Sequence, residues 1–167
     1  MEAISKSTKD TKKIAKKLAQ TWPKAFGRSI LSLTEKGPLV IALHGELGSG
    51  KTTFLQFFAR SLGVKEKVLS PSFLIMKTFK LPKKVKCFKF LVHIDTYRIK
   101  KAKELLDLGL KNILNDKETI VVVEWPEKVS KYLPLNTRHI YFETISDKER
   151  KLKISPTTLK LRRTSNV

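Results

Sequence analysis

Gly45, four intervening residues and then Gly50-Lys51-Thr52 carry the strongest chemical signature in this chain. The spacing is that of a phosphate-binding loop. Glycines let the backbone turn through conformations that a Cβ would block, so that successive N–H groups converge on phosphate oxygens. Lys51 brings a mobile positive charge to the β- and γ-phosphates, and the Thr52 hydroxyl is placed to ligate the Mg²⁺ that a nucleotide carries. A plain glycine turn between strand and helix would leave the Lys-Thr pair unexplained. Two carboxylates further along invite the same chemistry. Asp95 follows the apolar run Cys87 to Ile94, and an acid at the tip of a buried strand is where such a protein keeps a group for its metal or its water. A helix N-cap would account for Asp95 as well. Glu124 repeats the pattern after Thr119-Ile120-Val121-Val122-Val123. If it is buried it requires a cation, which Mg²⁺ held between Thr52 and Glu124 would supply; a capping or surface glutamate is the simpler alternative. His93 has no partners at metal-site spacing and is expected to pack or to bond locally. Ser70-Pro71-Ser72-Phe73 reads either as a switch that senses the γ-phosphate or as the ordinary start of a strand, and position alone favours the latter.

These groups need elements to hold them. Leu39-Val40-Ile41-Ala42-Leu43 is too short for a helix and branched enough for a buried strand leading into the loop. Phe54, Leu55, Phe57, Phe58 and Leu62 recur at helical spacing after it, which puts the phosphates at a helix N-terminus, where backbone donors favour anions. Upstream, Ser7 to Gln20 predicts a first helix with Ile14, Ala15, Leu18 and Ala19 as its apolar stripe, Thr8 or Asp10 as cap, and Trp22-Pro23 as its end. Residues 24–38 predict a second short amphipathic stretch with Phe26, Ile30, Leu31 and Leu33 inward. Phe73 to Phe79 and Cys87 to Ile94 form a candidate hairpin about Leu81-Pro82-Lys83-Lys84. A helix at Lys101–Leu108 is closed by Gly109, and a further turn runs to Leu114. Thr119 to Val123 is continuously apolar, as in a parallel sheet buried on both faces. Arg138 to Ile145 and Arg150 to Ile154 predict two closing strands about a polar turn. Strands alternate with helices, so the class is α/β, with the active site at strand C-termini.

Length and composition set the frame. With 167 residues and 41% hydrophobic content, residues 1–155 are expected to form a single domain carrying the phosphate-binding loop, and 156–167 a basic, mobile tail. No apolar run approaches the length of a membrane span, and Met1-Glu2-Ala3-Ile4-Ser5-Lys6 lacks the apolar stretch of a secretory signal. Cys87, the single cysteine, has no internal partner for a disulfide, and a cytoplasmic location is expected. Lys and Arg number 35 against 15 Asp and Glu, a net charge of +20. Such a chain is drawn to polyanions, nucleic acid first among them, although evenly spread solvated lysines would give the same total.

Taken together, the segment from Leu43 through Phe54, Ser70-Pro71-Ser72-Phe73, His93-Ile94-Asp95-Thr96-Tyr97-Arg98, Glu104 to Leu110 and Val123-Glu124-Trp125-Pro126-Glu127 resemble, in order and spacing, the TsaE (YjeE-type) family of ATPases. The resemblance spans roughly residues 7–155. It implies a P-loop NTPase-like fold with a mostly parallel central sheet flanked by helices and extended by antiparallel strands. It implies an ATPase required for N6-threonylcarbamoyladenosine in tRNAs that read ANN codons, one that docks on the TsaB–TsaD complex and resets it by ATP hydrolysis. Gly48, Ser49, Gly50, Lys51, Thr52 and Thr53 would hold the phosphates, Thr52 and Glu124 would ligate Mg²⁺, and Lys51 and Asp95 would serve hydrolysis. Trp125 would lie beside nucleotide or partner, Thr11 near the adenine, and Ser70 to Phe73 would be the switch. Ser49 and Ser72 depart from the family's usual Ala and Thr without changing size or chemistry much. The tRNA would be reached indirectly or through the basic surface, and no membrane contact is implied.

Other readings of the same residues remain distinct. A small-molecule kinase shares the loop but needs a lid, for which only Lys100-Lys101-Ala102-Lys103 offers itself. A GTPase-type switch lacks its guanine-reading box, since Asn115-Asp116-Lys117 has the wrong order. A nucleic-acid-binding module with a vestigial site would rest on charge alone.

Overall fold

The computed structural model describes residues 1–28, 37–69, 75–85 and 87–155. Seven strands form one sheet in the order β1-β7-β6-β2-β5-β4-β3. They are β1 (Glu2–Ser5), β2 (Leu39–His44), β3 (Met76–Lys80), β4 (Phe90–Asp95), β5 (Thr119–Glu124), β6 (Arg138–Thr144) and β7 (Arg150–Ser155). The inner four, β6-β2-β5-β4, are parallel, and β3, β7 and β1 add antiparallel edges. This is an α/β, P-loop NTPase-like sheet, parallel at its centre as the resemblance implies.

The two faces of the sheet are covered differently. Leu39, Ile41 and Leu43 of β2, with Ile120 and Val122 of β5, face helices α1 (Thr8–Arg28) and α2 (Lys51–Leu62) through Ala15, Leu18, Phe54 and Phe58. The alternate residues Val40, Val121, Val123, Val92 and Ile94 pack under short helices α3 (Lys103–Asp107) and α4 (Leu110–Ile113) and the 3-10 segment Pro126–Tyr132, through Leu105, Leu110 and Val129. Every residue of β5 is buried, because it has a strand on each side and a helical layer on each face.

Four expectations change. Trp22-Pro23 does not end α1, which runs through Pro23 to Arg28. Proline removes one helical hydrogen bond, but Ala15, Leu18, Ala19 and Trp22 continue one apolar stripe at helical spacing, and all are buried against the core. The cap is Ser7, not Thr8: its hydroxyl accepts from the Asp10 amide at 3.2 Å, and the Asp10 carboxylate accepts from the Ser7 hydroxyl at 2.9 Å and from the Lys6 amide at 3.3 Å. The helix expected at Lys101–Leu108 covers only Lys103–Asp107. Gly109, at φ +88°, then turns the chain into α4. The second amphipathic stretch merges with α1 as far as Arg28, and Ile30, Leu31 and Leu33 lie outside the described residues, as do Ser70 to Phe73 and 156–167. The hairpin β3–β4 and the closing pair β6–β7 are present. β1 was not foreseen: four residues give no periodicity to read, and they pair only with β7 at the other end of the chain.

Candidate functional site

Three neighbouring strands, β2, β5 and β4, end at one edge, and each delivers one part of the site. After β2 the loop passes Gly45 at φ +134°, where a Cβ would come within 2.4 Å of the Phe142 carbonyl, so only glycine lets the loop sit against β6. Gly50, at φ +99°, turns the chain into α2. The first amides of that helix, from Lys51 on, have no intrahelical partner and point out of its N-terminus.

Lys51 is 4% exposed. Its Nζ donates to the carbonyls of Gly45 at 2.7 Å and Glu46 at 2.8 Å, and lies 4.0 Å from the centre of the Trp125 ring. Burial pushes its pKa down, while Glu124, Asp95, Glu127 and Glu46 pull it back up. The ammonium thus rests on the loop's own carbonyls, in a pocket already supplied with negative charge.

Glu124, the last residue of β5, is 2% exposed. Its Oε2 accepts from the Thr52 hydroxyl at 2.9 Å, and its Oε1 meets His93 Nε2 at 3.0 Å. The surface reading of Glu124 is therefore wrong; His93 is packed in the interior as expected, but its bond is not local, since its partner lies 31 residues away. His93 was legible after all: it stands two residues before Asp95 on the same strand, hence on the same face. Asp95 pairs in register with Glu124 across β4 and β5. Its Oδ1 accepts from the Tyr97 amide at 3.0 Å, a turn closure that the N-cap reading anticipates, although no helix starts there.

Gly48, Gly50, Lys51, Thr52, Thr53, Asp95, Glu124 and Trp125 line one cleft of about 230 Å³. Beside it, sharing Gly48, Gly50 and Thr53, lies a second of about 370 Å³ lined also by Ser49, Thr11, Ser5, Lys6 and Arg150. Thr11 is fixed there by a buried hydroxyl pair with Ser5 at 2.8 Å. Thr11, Gly48 to Thr53, Asp95, Glu124 and Trp125 thus fall on two adjoining clefts, one at the strand ends with Asp95 and Glu124, the other running outward between α1 and β7.

Trp125 takes an uncommon backbone conformation, φ +57°, that turns its ring toward Lys51 and against Tyr97, 5.0 Å away. Its carbonyl accepts from the buried Thr96 hydroxyl, which helps to hold it. Next to the loop, His44 bridges Glu127 at 2.7 Å and His139 at 2.9 Å, under the ring of Tyr141.

As a metal site the donor set fits Mg²⁺ better than a transition metal. Among the described residues no three His, Cys, Asp or Glu side chains converge. One carboxylate and one hydroxyl in contact, at a helix N-terminus with free amides, suit an ion that keeps several waters and takes its other ligands from phosphates.

A profile of the family described as threonylcarbamoyl adenosine biosynthesis protein TsaE matches residues 5–152. A Treponema pallidum protein named tRNA threonylcarbamoyladenosine biosynthesis protein TsaE is 29% identical over 157 residues, covering 93% of this chain and 100% of its own. The Bacillus subtilis protein of the same name is 33% identical over 132 residues, 77% of this chain and 76% of its own. The crystal structure of Bacillus subtilis YdiB superposes with a TM-score of 0.69 at 26% identity, over 94% of this chain and 85% of that one.

Proposed function

Because the chain belongs to the TsaE family of P-loop ATPases, we propose that it hydrolyses ATP at the joined clefts in support of tRNA threonylcarbamoyladenosine synthesis, with a TsaB–TsaD-type complex as its partner. The observation that carries the reading is the convergence of Lys51, Thr52, Asp95 and Glu124 on one cleft at a helix N-terminus. Gly48 to Thr53 bind the phosphates through amides and the Lys51 ammonium. The adenosine end extends past Gly48 toward Thr11.

Thr52 and Glu124 would hold Mg²⁺, which would supply positive charge to offset that of the phosphates. Lys51 leaves the loop carbonyls for the phosphates and stabilises negative charge there as the γ-phosphoryl group departs. Asp95 orients the attacking water and takes its proton. Trp125 covers the Lys51 side of the cleft and keeps it dry. Hydrolysis by the chain alone is slow, and the partner complex raises it by supplying or ordering a missing group.

The test is phosphate release with and without the two partner proteins, on the native chain and on Lys51→Ala and Asp95→Ala. Both variants should keep their melting temperature and lose stimulated turnover by two or more orders of magnitude. Unchanged hydrolysis in the assembled complex would remove the mechanism. Phosphorylated small molecule in place of free phosphate would identify a kinase.

A further inference from the structure

We propose that His93 is a positioning residue that aims the Glu124 carboxylate at the nucleotide's cation. The proposal rests on the reading above that Glu124 ligates that cation. His93 is 0% exposed, in the middle of β4, where its neighbours Leu91, Val92 and Ile94 are apolar. An imidazole in such a place loses its hydration, so an aliphatic side chain would suit the packing better unless the ring is bonded. It is bonded, to the group on which the site depends. An ionised carboxylate only accepts, so Nε2 carries the proton and donates to Oε1 at 3.0 Å.

The geometry divides the work between the two oxygens of Glu124. Oε1 is held from inside the sheet by His93, and Oε2 is presented to Thr52, at the mouth of α2. His93 itself is fully enclosed while Glu124 lines the cleft, so the imidazole acts on a ligand only through the carboxylate. There is reason for Glu124 to need such a hold. Asp95 stands directly beside it in the sheet register, and like charges on paired positions repel. A ring fixed in a strand between β5 and β3 is a stiff donor, and hydrogen bonds from behind a ligating carboxylate typically hold metal affinity up by a factor of ten or more.

The experiment is a calorimetric titration of a non-hydrolysable ATP analogue at a series of Mg²⁺ concentrations and in EDTA, with melting temperatures measured alongside. The chains are native, Glu124→Ala, His93→Leu, His93→Asn and His93→Gln. His93→Leu should weaken the apparent Mg²⁺ affinity about tenfold or more and leave analogue affinity in EDTA unchanged. His93→Gln, whose amide nitrogen reaches the place of Nε2, should restore most of that loss, and His93→Asn, too short, should not. Native Mg²⁺ affinity in His93→Leu, alongside its loss in Glu124→Ala, overturns the proposal and leaves the site intact. If His93→Leu does not fold, equal affinities in the Asn and Gln variants overturn it. Undiminished Mg²⁺ coupling in Glu124→Ala overturns the assignment of Glu124 itself, and the role of His93 with it.

Discussion

At the residue scale, Gly45 and Gly50, two of the loop's three glycines, do different jobs. Gly50→Ala meets no atom within 4 Å, so its cost is backbone strain at φ +99°, roughly 1–3 kcal/mol. Gly45→Ala adds a contact of 2.4 Å with a backbone oxygen, which has no rotamer by which to yield. Chemical denaturation should therefore find Gly45→Ala the more destabilised of the two. ATP titrations should find its affinity the more reduced, since the loop must lift off β6. The His44–His139 pair gives a second prediction. Burial, and after it the neighbouring His44, hold the His139 pKa below the usual histidine value. As pH falls through about 6.5 the unfolded chain takes up a proton that the folded one refuses. Stability is therefore lost on acidification, starting at that pH and complete below the folded pKa. His139→Gln should flatten the melting temperature against pH between 7 and 5; an unchanged slope would exclude His139 as its source.

Elements follow packing wherever packing and local signals disagree. Pro23 is a strong stop signal, yet α1 continues, since Trp22 is 8% exposed and carries the Arg138 guanidinium 5.4 Å from its ring centre. Trp22→Ala should cost roughly 3–5 kcal/mol in denaturant unfolding. Pro23→Ala should change stability far less, because the lost ring is small and a helical hydrogen bond is regained. The loop, β2, α2, β5 and the closing hairpin were all readable, because each couples an apolar run or a clear period to a turn signal. The meeting of Lys51, Thr52 and Glu124 at one cleft was readable as well, since a strand end fixes where its last side chain lies. Three features were hidden for physical reasons. β1 gives no signal apart from its long-range pairing, Ser7, Thr8 and Asp10 are all residue types that cap and only the bonds they make tell them apart, and the His93–Glu124 contact joins two strands. Reading alternate residues of β4 as one face would have recovered the last.

Across the whole molecule, the charge of +20 is unevenly spent. Lys9, Lys12, Lys13, Lys16, Lys17 and Lys24 are exposed along α1, whose apolar stripe is buried, and Lys13–Asp10 is the one ion pair seen on that helix among the described residues. Such a face should retain the protein on immobilised heparin, with elution strongly dependent on salt. Exchanging Lys12, Lys16 and Lys17 for Gln should lower the eluting salt concentration and leave ATP affinity unchanged; an equal elution point would mean that these lysines are merely solvated. No helix of the described residues is long and apolar enough to cross a membrane.

The outer cleft brings together Ser5, Thr11 and Arg150, and among the described residues β1 pairs with β7 alone. On the ribosome the first strand therefore waits, unpaired, until nearly the whole polypeptide has left the exit tunnel. Nascent chains halted before residue 150 carry the phosphate loop but lack Arg150 and Leu152 on the wall of the outer cleft.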